Sequence, residues 1–458
     1  MRMRRAIIAA AACLWLASGG AAASSDPLVG LLASYGGAAV GVALGVTRSP
    51  YLDGGVRNDL VPLYLYENEH FYLHAYRIGL KFDRGEHDGF DLFVTHRFEG
   101  FPSDRIPSSL TGMAERGPGM DAGAGYERRF RWGTVFGEAL RDVSHTSGGN
   151  EVRLGYNYDW QRARLRLRPY VMVSLRSARL NNYYYGVRPD EATPTRPAYE
   201  AGAGFNNEAG VYGSYRLTER WRLLAGVSAT RWTSEVRDSP IVRDRMEISA
   251  MAGAVYDFSP QHVAAAPGGK PLIVKLLVGK STDCNLMPIM GLSCTSTATA
   301  DQTRVAGIEI GRPFVQRLNG WPLDFVGYLG LLRHDERGLQ PDSWQFNAYV
   351  KAYWYGFPWS DRVRTRVGFG TGLSYAQRIP YVEARDQARR GRSTSRLLNY
   401  LDPSIDVSLG DVLGVRSLRE AYFGFGVTHR SGIFGSSQLF GNVDGGSNYI
   451  YTYVEWEL

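Results

Sequence analysis

The sequence contains no long apolar run and very little cysteine. After residue 23, no stretch supplies the roughly 18 consecutive apolar residues that a membrane-spanning helix needs, so no such helix is expected. Cys284 and Cys294 are the only cysteines beyond residue 13. No histidine or second cysteine pair accompanies them, which argues against a zinc site. In an oxidising compartment, a disulfide between them across a short loop is a plausible expectation.

Concentrated positive charge and the motifs of common enzymes are also missing. The formal net charge is +7, with three of the charges on Arg2, Arg4 and Arg5, and the rest forms no basic stripe. Nucleic acid is therefore not an expected partner. The sequence has no G-x-S-x-G elbow, no phosphate-binding P-loop and no zinc-protease histidine pair. We predict no cofactor and no metal.

The N-terminal segment has the pattern of an export signal. Its three arginines precede a short apolar core at 7–16 and a run of small residues at 19–23. This order predicts a signal peptide over residues 1–23 that is cleaved after Ala23. The apolar core is too short to cross a bilayer as a helix.

The remaining composition favours strands and turns. Glycine accounts for 54 and tyrosine for 28 of the 458 residues, and 12% of the chain is aromatic. Segments of about ten residues with period-two alternation recur along the chain, which is the length a tilted strand needs to cross a membrane. We therefore predict an all-β, antiparallel transmembrane β-barrel in the outer membrane of a Gram-negative bacterium.

Several segments are predicted individually. The clearest alternation runs from 162 to 168 and places four arginines on one face, which fits a wet lumen or a polar rim. Further strands of similar length are predicted at 221–231, 246–258, 344–355 and 362–375, with a turn at 218–220. The segment 382–392 is either one short helix or a charged loop.

A break at 259–271, rich in Pro, Gly and Ala, predicts a linker. It separates a segment at 24–258, with about 10 to 12 strands, from a segment at 272–458, with about eight, which is enough for a small closed barrel. Two tandem barrels fit this pattern, and so does one wide barrel with a long connecting loop.

The first half carries motifs of a known family. These are YYYGVRPDEA at 183–192, PAYEAGAGFNN at 197–207 and DSPIVRDR at 238–245, with SPYLDGG at 49–55 near the start. In this order they resemble the MipA/OmpV family of outer-membrane proteins over residues 28–258. The resemblance implies a barrel that links the outer membrane to peptidoglycan-remodelling enzymes. We expect most of these motifs to shape loops and turns, with Tyr183, Tyr184 and Tyr185 at a membrane interface.

Candidate catalytic residues lie near the C-terminus, in the segment 421–458. In the strand that begins at Ala421, alternation places Phe423, Phe425 and Val427 on the lipid side, and the same parity puts His429 and Ser431 there too. A histidine two residues from a serine on one face can act as base to a nucleophile, with an acid to orient the imidazole.

This segment resembles the PagL-type lipid A deacylases, small barrels with a His-x-Ser pair and a nearby glutamate. His429 and Ser431 match the pair. The chain departs from the pattern because no glutamate follows at the expected place, and Asp444 is the nearest substitute. The resemblance spans residues 272–458, with its diagnostic residues in the last forty or so. The alternative is a purely structural role, in which His429 and Ser431 belong to a polar girdle at the end of the strand.

Three functions remain open on the sequence. The first is a MipA/OmpV-type envelope protein that scaffolds a murein transglycosylase or synthase. The second is an ester hydrolase that deacylates lipid A in lipopolysaccharide of the outer leaflet, with His429, Ser431 and Asp444 as catalytic residues. The third is a passive pore lined by the arginines at 162–168.

Overall fold

The computed structural model describes residues 38–67, 70–83, 87–101, 106–258 and 271–458. The predicted signal peptide at 1–23 and nearly all of the predicted linker at 259–271 lie outside these ranges. In the described parts of the chain, no helix is long and apolar enough to cross a membrane.

The first half forms a closed antiparallel barrel of twelve strands with one short additional strand beside them. The strands are β1 Ala38–Arg48, β2 Val56–Glu67, β3 Phe71–His74, β4 Arg77–Asp83, β5 Asp88–Arg97, β6 Gly119–Phe130, β7 Gly133–Asp142, β8 Asn150–Asn157, β9 Trp160–Arg162, β10 Leu165–Arg176, β11 Gly204–Arg216, β12 Trp221–Arg231 and β13 Met246–Asp257. The barrel closes through the pairing of β10 with β11, and the short β9 is the additional strand, which pairs with β10.

The second half forms a separate closed barrel of eight antiparallel strands. Its strands are β14 Ile273–Ser281, β15 Arg304–Val315, β16 Leu323–Asp335, β17 Ser343–Trp354, β18 Thr365–Ala376, β19 Leu397–Ser408, β20 Ala421–Ser431 and β21 Asn448–Glu457. The barrel closes through the pairing of β14 with β21. The fold is therefore two tandem barrels, and the alternative of one wide barrel is wrong.

The predicted strand positions agree closely with the structure. Strand β12 has the predicted bounds, β13 ends one residue earlier and β17 is displaced by one residue at both ends. Strand β18 begins three residues later and ends one residue later than predicted, and 218–220 lies in the turn between β11 and β12. A helix at Tyr381–Arg389 occupies most of the segment 382–392. Period-two alternation locates these strands well because one face of each contacts lipid and the other faces the lumen.

The predicted strand at 162–168 is wrong. Ala163, with a φ of 51°, lies in a tight turn, and Arg162 pairs with Leu165 across it. Arg166 and Arg168 form ion pairs with Asp159 at 3.1 and 2.6 Å instead of lining a continuous face. The alternation of polar and apolar residues continues through the turn, so the pattern by itself does not reveal the reversal.

The lumen of the second barrel is filled by buried ion pairs. The carboxylate of Asp402 lies 3.2 Å from Lys275 Nζ and 2.7 Å from Lys351 Nζ, and all three side chains are fully buried. Arg366 contacts both Asp406 and Glu455. Buried charges are tolerated only when they are paired and hydrogen-bonded, and this network meets both conditions.

The first barrel carries a similar network on one side of its lumen. Arg77 lies 2.9 Å from Asp91 and 2.7 Å from Glu138, with its guanidinium over the ring of Phe93. Arg97 contacts Asp121 on the neighbouring β6 and Glu151 on β8, at distances below 3 Å. These ion pairs join β4 to β7 and β5 to β8 along one side of the interior.

The two ends of the barrels differ in loop length. The connections at 98–118, 177–203 and 232–245 of the first barrel lie at the end opposite Ala38 and Asp257, and those at 282–303, 377–396 and 432–447 lie at the end of the second barrel opposite Ile273. Outer-membrane barrels carry their longer loops on the cell exterior and short turns in the periplasm. We assign the two ends accordingly.

The outer walls of the two barrels touch. The Tyr64 hydroxyl on β2 lies 2.6 Å from Thr371 Oγ1 on β18 and donates to Asn399 Oδ1 on β19 at 2.7 Å. Near the short-turn end, the ring of Phe258 packs against Phe325 with centroids 4.7 Å apart. Polar groups on lipid-facing positions thus bond to each other where the walls meet.

We expect Asp402→Ala to destabilise the second barrel strongly, because it leaves Lys275 and Lys351 buried without their shared carboxylate. The free energy of unfolding should fall by about 3–5 kcal/mol, measured by urea titration of the refolded protein. Asp342→Ala, which removes an exposed ion pair with Arg333, should leave it nearly unchanged because solvent screens that pair. Equal effects of the two variants would contradict this account of the lumen.

Candidate functional site

Strand β20 carries large aromatic side chains on its outer face and glycines on its inner face, because the lumen has little free space. Phe423 and Phe425 are exposed on the outer wall, as the alternation predicts. Gly424 and Gly426 point into a lumen filled by tyrosine rings. A Cβ at Gly426 would lie 2.5 Å from the ring of Tyr451, so a larger residue there would require that ring to move.

The same parity carries His429 and Ser431 to the outer wall at the long-loop end. Both side chains are half-buried. In the ladder, His429 lies between Leu401 on β19 and Asn448 on β21, and Ser431 pairs with Asn399. The pair is therefore embedded in the wall and bordered by polar neighbours on both sides.

His429 is oriented by an asparagine. Its Nδ1 lies 2.6 Å from Asn448 Oδ1, and Asn448 Nδ2 donates to the Cys284 carbonyl oxygen at 3.0 Å. Because the carbonyl can only accept, the amide must present its oxygen to the imidazole, and Nδ1 then carries the proton. Nε2 is left with its lone pair, which is the form that a general base requires.

Asp444 lies elsewhere in the structure. Its carboxylate forms an ion pair with Arg392 at 2.8 Å and is partly exposed. Its backbone carbonyl accepts hydrogen bonds from Gln387 Nε2 and Arg392. The structure thus brings together His429 and Asn448, not His429 and Asp444. Counting the register of the last hairpin backward from the C-terminus could have identified Asn448, because it stands directly opposite His429.

Ser431 points to the same side of the strand as His429 but makes a different contact. Its Oγ accepts a hydrogen bond from the Ile433 backbone N–H at 3.2 Å. Residues two apart on a strand are separated by about 6.6 Å, so a proton transfer between them requires both side chains to turn toward each other. The structure places Ser431 and His429 on the same face of the strand, with the proton of the imidazole on Nδ1.

Apolar side chains lie next to this pair. The disulfide between Cys284 and Cys294 closes a loop whose residue Ile289 packs against Val427, two residues before His429. On the same loop Met287 and Leu292 are strongly exposed, and so is Phe434, just beyond Ser431. This is the kind of surface that acyl chains contact. Among the described residues, no group of three or more His, Cys, Asp or Glu side chains is arranged to hold a metal ion.

The family-like motifs of the first barrel lie in a cap over its long-loop end. The cluster joins several loops through fully or nearly fully buried side chains, which include Tyr51, Phe101, Leu180, Tyr184, Tyr185, Val187, Trp232, Val236 and Ile241. The expectation that Tyr184 and Tyr185 lie at a membrane interface is therefore wrong. They end a short helix, Ala178–Tyr185, and face other loops because those loops fold over the barrel and onto one another.

A buried ion pair holds the cap together. Arg116 donates to both carboxylate oxygens of Glu191, at 3.0 and 2.6 Å, and the backbone N–H groups of Ala114 and Arg188 donate to the same carboxylate. Burial by itself would raise the pKa of Glu191, but these hydrogen bonds outweigh burial and lower the pKa to about 2.

Comparison with known proteins finds relatives of the first barrel. Residues 40–258 match the family described as MltA-interacting protein MipA. The chain is 31% identical to outer membrane protein Omp26La of Vibrio anguillarum over 151 residues, which are 33% of this chain and 59% of that protein. It is 30% identical over the same length to OmpV of Vibrio cholerae, again 33% of this chain and 59% of the relative. The chain thus spans about three fifths of the length of these two relatives.

A third relative is matched over nearly its whole length. The MltA-interacting protein of Escherichia coli is 24% identical over 231 residues, which are 50% of this chain and 93% of that protein. Residues 40–258 therefore resemble the MipA/OmpV proteins in sequence and form a β-barrel, and the protein is located in the outer membrane.

Acid should loosen the cap through Glu191. The pKa of this carboxyl is about 2 in the folded protein and about 4.5 in an unfolded chain, so its stabilising contribution is complete above pH 4.5 and declines as the pH falls toward 2. We expect pepsin cleavage within 177–203 to accelerate over this interval. Glu191→Gln should remove most of that pH dependence, whereas an unchanged profile would contradict the assignment.

Proposed function

Because its first barrel matches the family of the MltA-interacting protein, we propose that this outer-membrane protein is a scaffold that binds a murein transglycosylase or synthase. The observation that carries the proposal is the similarity over 93% of that relative. A partner that acts on peptidoglycan works in the periplasm, so it would contact the short-turn end of the barrels. The buried ion pairs of the two lumens link several strands of each barrel, which favours a rigid wall and defined positions for these turns.

The first barrel presents suitable contact residues at that end. Arg162 and Arg164 are exposed in and beside the turn between β9 and β10. Arg220, in the turn between β11 and β12, reaches Asn319 of the second barrel. The rim thus combines exposed positive charge with a fixed geometry, and both favour specific docking of a periplasmic protein.

We expect affinity capture of the full-length protein from solubilised envelopes to enrich a murein transglycosylase or synthase. Reversing the rim charges with Arg162→Glu and Arg164→Glu should reduce its recovery about tenfold, because like charges then oppose docking. The matched control is Arg188→Glu with Arg243→Glu at the long-loop end, which should leave recovery unchanged. Capture of no murein enzyme by the unmodified protein would refute the proposal.

A second candidate function is favoured by the 2.6 Å contact between His429 and Asn448. In this proposal the second barrel is an ester hydrolase that acts on lipid A in lipopolysaccharide of the outer leaflet, as its resemblance to PagL-type deacylases implies. Ser431 Oγ attacks the ester carbonyl carbon, and His429 Nε2 takes the hydroxyl proton. The imidazolium returns that proton to the departing alkoxide, and water then releases the fatty acid from the serine.

The contacts of Asn448 define its role in this proposal. Its Oδ1 accepts a hydrogen bond from the Nδ1–H group of His429, so it orients the ring as the acid of a serine triad does. Asp444 remains the acid that the sequence predicts, and its ion pair with Arg392 holds it away in this conformation. Variants at the two positions therefore separate the two assignments.

Mass spectrometry of lipid A from cells that express the protein should show the loss of one acyl chain, and Ser431→Ala should abolish that loss. Asn448→Ala should slow deacylation about 100-fold or more, because the imidazole loses its orientation. Asp444→Asn should have little effect. A large loss with Asp444→Asn alone would assign the acid to Asp444, and identical spectra with and without the protein would eliminate the hydrolase.

A further inference from the structure

The wall of the first barrel contains a seam at the height of its long-loop end. Strand β3 has only four residues, and β2 pairs with it through Leu65, Tyr66 and Glu67 alone. On the other side, the pairing of β4 with β5 ends at Thr95. Above the β3–β4 turn, residues 56–63 of β2 and residues 96–98 therefore border a gap that neither β3 nor β4 fills. We call this gap the seam.

The sequence of β2 is adapted to an open edge. The Tyr64 carbonyl accepts the Ala75 N–H, so the backbone polar groups of alternate residues, which include Pro62 and Leu60, point toward the seam. Pro62 has no N–H, as is typical of residues at sheet edges. Leu60 does carry an N–H, and an unpaired amide in the hydrocarbon region is strongly unfavourable.

A loop of the second barrel supplies the missing partner. We call residues 433–443, which follow β20, the docking loop. The Leu60 N–H donates to the Ser436 carbonyl oxygen at 2.8 Å. The backbone N–H of Gln438 donates to Asp59 Oδ1 at 2.6 Å, and its Nε2 donates to the Phe98 carbonyl oxygen at 2.9 Å. The loop thus bonds to both borders of the seam.

The docking loop also fills the seam with apolar side chains. Leu439, Phe440 and Val443 are fully buried, and Tyr76 and Phe98 of the first barrel pack against their cluster. Pro62 points outward from β2 yet is buried, whereas Leu44 on the neighbouring strand is 61% exposed. The second barrel therefore covers this part of the wall and leaves the adjacent part to lipid.

We propose that the docking loop is a wall segment of the first barrel, supplied by the second. It closes a lateral opening between the outer leaflet and the lumen of the first barrel, and its release opens that path. This inference does not depend on either proposed function, because it rests on the pairing of β2. It makes the two barrels one functional unit.

The test measures access to the lumen from the lipid phase. Val61 faces the lumen beside the seam and pairs with the buried Ala43, so Val61→Cys reports on the interior. Leu44→Cys, on the lipid face at nearly the same height, serves as the reference. Each full-length variant is reconstituted in phospholipid vesicles that contain a maleimide attached to a lipid acyl chain, and the ratio of the two labelling rates is recorded.

We expect a low ratio for Val61→Cys over Leu44→Cys when the loop is intact. Adding Asp59→Ala with Gln438→Ala removes two hydrogen bonds across the seam and should raise the ratio about tenfold. Replacing residues 434–438 by glycine is a second way to weaken docking if the first double variant fails to insert. An unchanged ratio in a folded docking variant would overturn the proposal, and so would a high ratio with the intact loop.

Discussion

Inside a bilayer every backbone N–H and C=O must find a partner within the protein, and this constraint organises the whole molecule. It requires each sheet to close, through β10 and β11 in the first barrel and through β14 and β21 in the second. At the seam, the short β3 leaves one edge of β2 unpaired by its own barrel. A proline removes one donor there, and the Ser436 carbonyl satisfies the Leu60 N–H. The requirement that closes each barrel thus also joins the two.

The same constraint applies to charged side chains and determines how the interiors of the barrels are built. Lysine, arginine and carboxylate side chains point inward and are buried, so they must bond to one another across the lumen, as Lys275, Lys351 and Asp402 do. Because these side chains already bond to one another, the side chains that could contact a ligand are those of the outer wall, the loops and the turns. The His429–Asn448 contact lies on the outer wall beside exposed apolar loop residues, and the arginine-bearing turns lie at the opposite end.

The two halves relate to known proteins in different ways. A 231-residue match covers 93% of the MltA-interacting protein of Escherichia coli, so that relative has little room for a second barrel of this size. The docking loop is therefore a feature of the tandem architecture of this chain. The family-like motifs shape the cap of the first barrel, where Arg116 and Glu191 tie together loops that are distant in sequence.

The alternation of apolar and polar residues by itself determined most of the strands and the outward direction of His429 and Ser431. Successive residues of a strand face lipid and lumen in turn, and these surroundings favour apolar and polar side chains, respectively. The pattern failed where it continued through a reversal, as at Ala163, and where loops buried each other, as at Tyr184 and Tyr185. Only the tertiary structure chose two barrels over one, because ring closure joins strands far apart in sequence. The partner of His429 was likewise decided by the register of the last hairpin, which places Asn448 opposite the imidazole while Asp444 bonds to Arg392.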